Sequence, residues 1–163
     1  MKYERFEQLP VWQAAIDLAA GVYAMTEKPL FQRRYSLRDQ IERAAVSISN
    51  NIAEGFERGT NRELLTFLYV ARGSAGEVRS MLCLLQKIPP FEALESGILT
   101  LKSQAESISK QLGAWTRMLR DSELKGQRFV TERARRMDHS ARDRREFLAE
   151  LQRIRGGRKP PEA

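Results

Sequence analysis

Four successive stretches of the chain place apolar residues in alternating steps of three and four, the spacing that gathers side chains onto one stripe of an α-helix. The first stripe reads Leu9, Trp12, Ile16, Ala19, Tyr23, and the second Leu37, Ile41, Ala45, Ile48, Ile52, Phe56. The third is the longest without a break, at Leu64, Leu68, Ala71, Ala75, Val78, Leu82 and Leu85. The fourth runs Leu94, Ile98, Leu101, Ala105, Ile108, Leu112, Trp115, Leu119. No stretch sustains the period of two that a half-buried strand needs, so the pattern predicts an all-α chain. Seams of this kind pack side by side.

The punctuation between the stripes agrees with that count. Pro10 suits the first turn of a helix, where its missing N–H has no intrahelical acceptor to lose. Ser36 with Asp39 and Thr60 with Glu63 have the spacing of a capping box. Gly59 stands where the second helix can end with φ > 0, which makes the second and third helices a tight hairpin. Pro89-Pro90 stops the third helix. Short links between long helices favour an antiparallel up-down-up-down four-helix bundle. The loop around Lys28 to Tyr35 is expected to be the longest and the most variable in shape.

Composition shifts beyond the fourth stripe. Residues 121–163 hold 12 Lys and Arg against 8 Asp and Glu, whereas residues 1–120 hold 16 against 13. Val130, Ala134, Met137 and Ala141 keep helical spacing, Arg144 interrupts it, and Leu148 and Leu151 resume it. The expectation is a bundle over 1–120 and a basic C-terminal helical arm over 121–163, with a disordered end at Gly156-Gly157-Arg158-Lys159-Pro160-Pro161. The whole chain of 163 residues carries a formal charge of +7, which attracts anionic partners over a Debye length or more.

The same composition removes several kinds of chemistry. Cys83 and His139 are each the single residue of their type, so no disulfide forms within the chain and a Cys/His zinc site would need several chains. His139 lies among Arg136, Arg142, Arg144 and Arg145, which disfavour its protonation, and no nucleophile pairs with it in sequence. Gly73-Ser74-Ala75-Gly76 sits inside a helical pattern and lacks the lysine of a phosphate-binding loop; its small residues are expected to admit a neighbouring helix. No Glu is followed three residues later by His, the pair used by di-iron bundles. The chain is expected to be no enzyme and to hold no cofactor or metal. Charges in Met1–Glu7 interrupt any signal-like run, and no stretch reaches the ~20 apolar residues of a membrane span. A reducing cytoplasm is the expected location.

Two sets of residues are candidates for binding. On the second helix Gln40, Arg43, Ser47, Asn50, Asn51 and Glu54 form a polar stripe beside the apolar one. A solvated face with an Arg58–Glu54 pair would explain its charges. The uncharged Ser47, Asn50 and Asn51, poor helix formers, point instead to a polar contact between helices or subunits. The other set is basic, because arginine meets phosphate with two parallel hydrogen bonds. On the bundle it comprises Arg33, Arg34, Arg38, Arg43, Arg58, Arg62, Arg72 and Arg79, and on the arm Arg128, Arg133, Arg135, Arg136, Arg142, Arg144 and Arg145. Acidic residues interleave on the bundle, so a neutralised face is the alternative there. Tyr69 and Phe129 are isolated aromatics, which argues against base-by-base reading of RNA.

The run from Ser36 to Gly55, with Arg-Ala-Ala-Val-Ser-Ile at 43–48 and Asn-Ile-Ala-Glu-Gly at 51–55, resembles the signature of the 23S rRNA intervening-sequence proteins. Leu9, Val11-Trp12 and Ala15 are similar to that family's opening, and Phe67-Leu68, Ala71-Arg72-Gly73-Ser74 and Glu77 to its third helix. The resemblance implies a non-enzymatic four-helix bundle that assembles as a homopentamer. Its relatives include accessory proteins of diversity-generating retroelements, which bind a reverse transcriptase and its RNA. It also implies structural roles for Trp12, Arg43, Ser47, Asn51, Glu54 and Gly55. Two departures stand out: Glu42 occupies a position where members often carry a basic residue, and the Arg-rich region from Asp121 extends past the usual end. Together these readings give an oligomeric scaffold that binds RNA or a ribonucleoprotein through arginines. The rival is a protein-interaction adaptor for a reverse transcriptase or another mobile-element protein.

Overall fold

A computed structural model describes residues 3–121. Four α-helices account for most of them: α1 over Pro10–Thr26, α2 over Tyr35–Glu57, α3 over Asn61–Leu85 and α4 over Glu95–Asp121. Short 3₁₀ segments precede α1 (Phe6–Gln8), α2 (Pro29–Phe31) and α4 (Pro89–Leu94), and no strand occurs among the described residues. The helical arm expected after residue 120, with its seven candidate arginines from Arg128 to Arg145, lies outside the described residues.

Contacts step away from the α2–α3 turn in both helices, from Gly55 against Leu64 and Phe67 to Ser47 against Ser74. One cluster of buried apolar side chains, contributed by all four helices, forms the core. The third stripe is buried at every one of its positions, and the second at all but its half-buried first residue, Leu37. Burying each such Leu or Ile side chain contributes about 1.5–3 kcal/mol.

The first stripe is corrected in part. Leu9 and Ala19 are buried and Trp12 packs half-buried against the core, but Ile16 and Tyr23 are 40% and 41% exposed, and Val11, Ala15, Leu18, Val22 and Met25 supply the rest of the core face. Two overlapping apolar stripes, turned by roughly 100° from one another, satisfy the same spacing rule. Periodicity alone does not say which one meets the core. Trp12, on the outer stripe, is half-buried and sets its ring edge-on to Phe6, centroids 5.1 Å apart.

Helix ends show two further differences. Thr60 caps α3 through its side chain, accepting from Glu63 N at 3.2 Å and donating its hydroxyl to the Glu63 carboxylate at 2.8 Å. Ser36 does not cap α2. That helix begins at Tyr35, because the turn at Pro29–Phe31 presents the Arg34 carbonyl as the first acceptor, 3.0 Å from Arg38 N. Nor does α2 end on a left-handed glycine. Arg58 leaves the helix in extended conformation (φ −70°, ψ 142°), leading to an extended Thr60 with no left-handed residue at Gly59.

The connections close the end of the bundle. Phe31 and Phe91, from the links before α2 and α4, are both buried and meet edge-to-face at 4.9 Å. The 27–34 link is therefore anchored, and the 86–94 link is longer by one residue. The expected close approach over Gly73-Ser74-Ala75-Gly76 holds at its middle pair, where Ala75 is buried and Ser74 meets Ser47 of α2, but not at the glycines, where a Cβ would meet nothing within 4 Å. Intimate helix contacts fall instead at Gly21, where a Cβ would lie 2.6 Å from Leu101 Cδ2, and at Gly55, where it would lie 2.7 Å from Phe67 Cβ.

Candidate nucleic-acid interface

The polar stripe of α2 divides into a half-buried centre and exposed flanks. Asn51 donates both amide hydrogens to Ser47, at 2.7 Å to the carbonyl oxygen and 3.0 Å to the hydroxyl. The Ser47 hydroxyl sits 2.8 Å from that of Ser74 on α3, which donates to Val70 O at 3.2 Å. The donor sense therefore runs Asn51, Ser47, Ser74, Val70, a polar link between two helices in which each hydroxyl both accepts and donates. Gln40, Asn50 and Glu54 are exposed. Glu54 accepts from Arg58 at 2.6 Å, which raises the Arg58 pKa, and Arg58 also covers the Phe67 ring at 5.2 Å. Glu42 accepts from Arg38 at 2.8 Å and from the buried Thr26 hydroxyl of α1. An acid at that position ties α1 to α2.

The basic residues separate by partner. Arg38 and Arg58 are neutralised by carboxylates one helical turn away, and Arg43 lies 3.7 Å from Asp39. Solvent screens the exposed Arg58–Glu54 and Arg43–Asp39 pairs, which therefore add little to stability. Arg34 rests over the Phe91 ring at 5.1 Å. Arg33, Arg62, Arg72 and Arg79 make no ion pair among the described residues.

Arg72 and Arg79 are brought together with residues of α4. They line a groove of about 280 Å³ with Glu106, Ser109, Lys110, Gly113 and Arg117. At Gly113 the absence of a side chain matters: a Cβ there would lie 3.6 Å from Arg72 Cζ and 3.7 Å from Arg117 Nη1. Two guanidinium groups thus border one bare stretch of helix, and like charges so placed repel unless an anion lies between them. Arg79 Nε is buried and has no hydrogen-bond partner. The one carboxylate lining the groove, Glu106, accepts from Lys110 at 2.8 Å. The Lys110 hydrogen bond, aided by the nearby Arg79 charge, holds the Glu106 carboxyl below its ordinary range.

Sequence reasoning misses Lys110 and Arg117 as basic candidates. The signal that could have found them is the spacing Glu106, Lys110, Gly113, Arg117 along one side of α4, next to its core stripe. Among the described residues no group of three or more His, Cys, Asp and Glu could hold a metal ion. None of the helices there is long and apolar enough to cross a membrane.

The fold and these contacts define an all-α four-helix protein with a cationic groove between its last two helices. The chain belongs to the 23S rRNA-intervening sequence protein family, whose sequence pattern it matches over residues 7–114. No curated protein matches it. The match takes in α1, α2, α3 and most of α4.

Proposed function

We propose that this protein is a non-catalytic, cytoplasmic scaffold that assembles with copies of itself, as a pentamer, and binds RNA or a ribonucleoprotein through basic surfaces. The observation that carries the reading is the set of arginines on the bundle that make no ion pair among the described residues, Arg33, Arg62, Arg72, Arg79 and Arg117, on a chain of charge +7. Unneutralised guanidinium groups release counterions from a phosphate backbone, the main source of sequence-independent affinity. Self-assembly is supported by apolar side chains left in solvent, Ile16, Tyr23, Leu99 and Met118 among them.

A second reading, an adaptor for a reverse transcriptase or another mobile-element protein, is favoured by the outer face of α3. Thr66, Tyr69, Gly73, Gly76, Ser80 and Leu84 are exposed there, sharing the face with the exposed Arg62 and Glu77. A protein helix seated on it would meet mostly uncharged groups and few ions to strip of water. Salt separates the two readings. Affinity of the full chain for structured RNA is expected to fall steeply between ~50 and ~200 mM salt, by about tenfold for each few phosphate contacts. Affinity for a protein partner that barely changes over that range, with no RNA binding, would replace the scaffold by the adaptor.

A further inference from the structure

We propose that the groove between α3 and α4 is a phosphate seat, in which Arg72, Arg79 and Arg117 hold a phosphodiester of an RNA backbone. This deepens the scaffold reading and rests on it, because it assigns that reading's contact to one place. Three features of the groove converge on an anion. Arg79 Nε is buried without an acceptor. Arg72 and Arg117 approach the same point above Gly113, at 3.6 and 3.7 Å from where a Cβ would stand. The one acid lining the groove among the described residues, Glu106, is hydrogen-bonded by Lys110 and only partly offsets the charge of three arginines and a lysine.

Shape favours phosphate over a carboxylate. One guanidinium saturates a planar carboxylate through two parallel hydrogen bonds. The groove offers guanidinium groups from two helices, Arg72 and Arg117 meeting above Gly113 and Arg79 two turns further along α3, so a phosphodiester would sit between the first two with its backbone running toward the third. Its volume of about 280 Å³ is several times the ~30 Å³ of a water molecule, leaving room for the group with part of its hydration. The hydroxyl of Ser109, at the groove wall, supplies a neutral donor. An acidic peptide is the competing ligand.

The test uses the full chain with ¹⁵N-labelled arginine, inorganic phosphate as the first probe and a structured RNA as the second. The Arg79 Nε–H resonance is expected to shift on adding either one. Arg72→Ala with Arg117→Ala should weaken RNA binding about tenfold or more and lower the salt slope by about 2, one for each guanidinium withdrawn from the phosphate backbone. Gly113→Asp should do the same without removing a cation. Its Cβ meets Arg72 only at ordinary contact distance, so the helix accommodates it, and the new carboxylate occupies the seat from within.

Wild-type binding of RNA, with the same affinity and slope in both variants and a stationary Arg79 signal, overturns the seat and leaves the scaffold reading intact. Failure of the wild-type chain to bind RNA, with phosphate still shifting Arg79, overturns the RNA assignment and keeps only an anion site. Tighter, competitive binding of an acidic peptide at the same three arginines also overturns the phosphodiester.

Discussion

The α2–α3 hairpin and the α1–α4 seam are built from similar stripes, yet they close differently. In the hairpin Gly55 lets Leu64 and Phe67 come against the α2 backbone, the Asn51–Ser47–Ser74 chain links the helices by hydrogen bonds, and Thr60 caps the turn. The seam has one intimate contact, Gly21 with Leu101, and clefts of about 520 and 450 Å³ toward its two ends. Specific, directional contacts make the hairpin complete within one chain. The seam is closed mainly by non-directional burial, and α1 still shows water the apolar residues Ile16 and Tyr23. Substitutions in the hairpin therefore act on the fold, and substitutions on the outside of α1 act on what the fold can meet.

The largest difference is expected at the two glycines that admit a neighbour. Gly55→Ala puts a Cβ 2.7 Å from the Phe67 Cβ and 3.4 Å from the Leu64 carbonyl oxygen, atoms that cannot turn away. Overpacking of this kind costs about 1–3 kcal/mol, and the gain of roughly 1 kcal/mol in helix propensity offsets only part of it. Gly21→Ala meets the tip of Leu101, which can change rotamer, so the same gain leaves stability within about 0.5 kcal/mol of the parent. Urea denaturation of both variants checks the contrast. Equal midpoints would mean that the hairpin yields as easily as the seam.

A smaller effect belongs to the hydroxyl pair. Ser74 is 8% exposed, and Ser74→Ala removes the acceptor of Ser47 and the donor to Val70. The loss is about 1 kcal/mol, and Ser47→Ala alone should be similar. The double variant should lose less than the sum, because each single change strands the other hydroxyl. A double-mutant cycle by denaturation gives the coupling directly. Strict additivity would show that the 2.8 Å contact carries no energy of its own.

How far the sequence could be read depends on whether a residue's role is fixed locally or by the rotation of its helix. The α3 stripe is readable because only one apolar face exists over Leu64–Leu85, and the Thr60–Glu63 cap because it needs no partner from elsewhere. On α1 two stripes coexist, and the one containing Trp12 and Tyr23 is only partly in the core, with Ile16 and Tyr23 turned to solvent. The glycines fail for the same reason. Gly73 and Gly76 have the look of a packing site but face open space, while Gly55 and Gly21 carry the contacts. In the groove, Arg72 and Arg79 stand out as cations on α3, but Lys110 and Arg117 join them only because α4 turns that side toward α3. A rotation of α4 by one residue would have sent them elsewhere, and no spacing rule sets that angle.

The smallest expected change in stability, and the sharpest test of the comparison, lies at the outer stripe of α1. Ile16→Gln and Tyr23→Gln replace side chains that are 40% and 41% exposed, so each should move folding stability by no more than about 0.5 kcal/mol. If sister chains cover this stripe, however, the two changes put uncharged polar groups into an apolar contact, each copy of the chain repeating the defect. Light scattering should then show a lower mass at a protein concentration where the parent is assembled, while the urea midpoint of the dilute protein stays put. Gly55→Ala should give the opposite result, with assembly lost only where the fold is lost. An Ile16→Gln, Tyr23→Gln double variant with undiminished mass would remove α1 as the meeting surface. The open face of α3 would then be the surface to test for self-association, where Gly73→Ala and Gly76→Ala would stabilise the single chain by about 0.5–1 kcal/mol each and crowd any partner lying there.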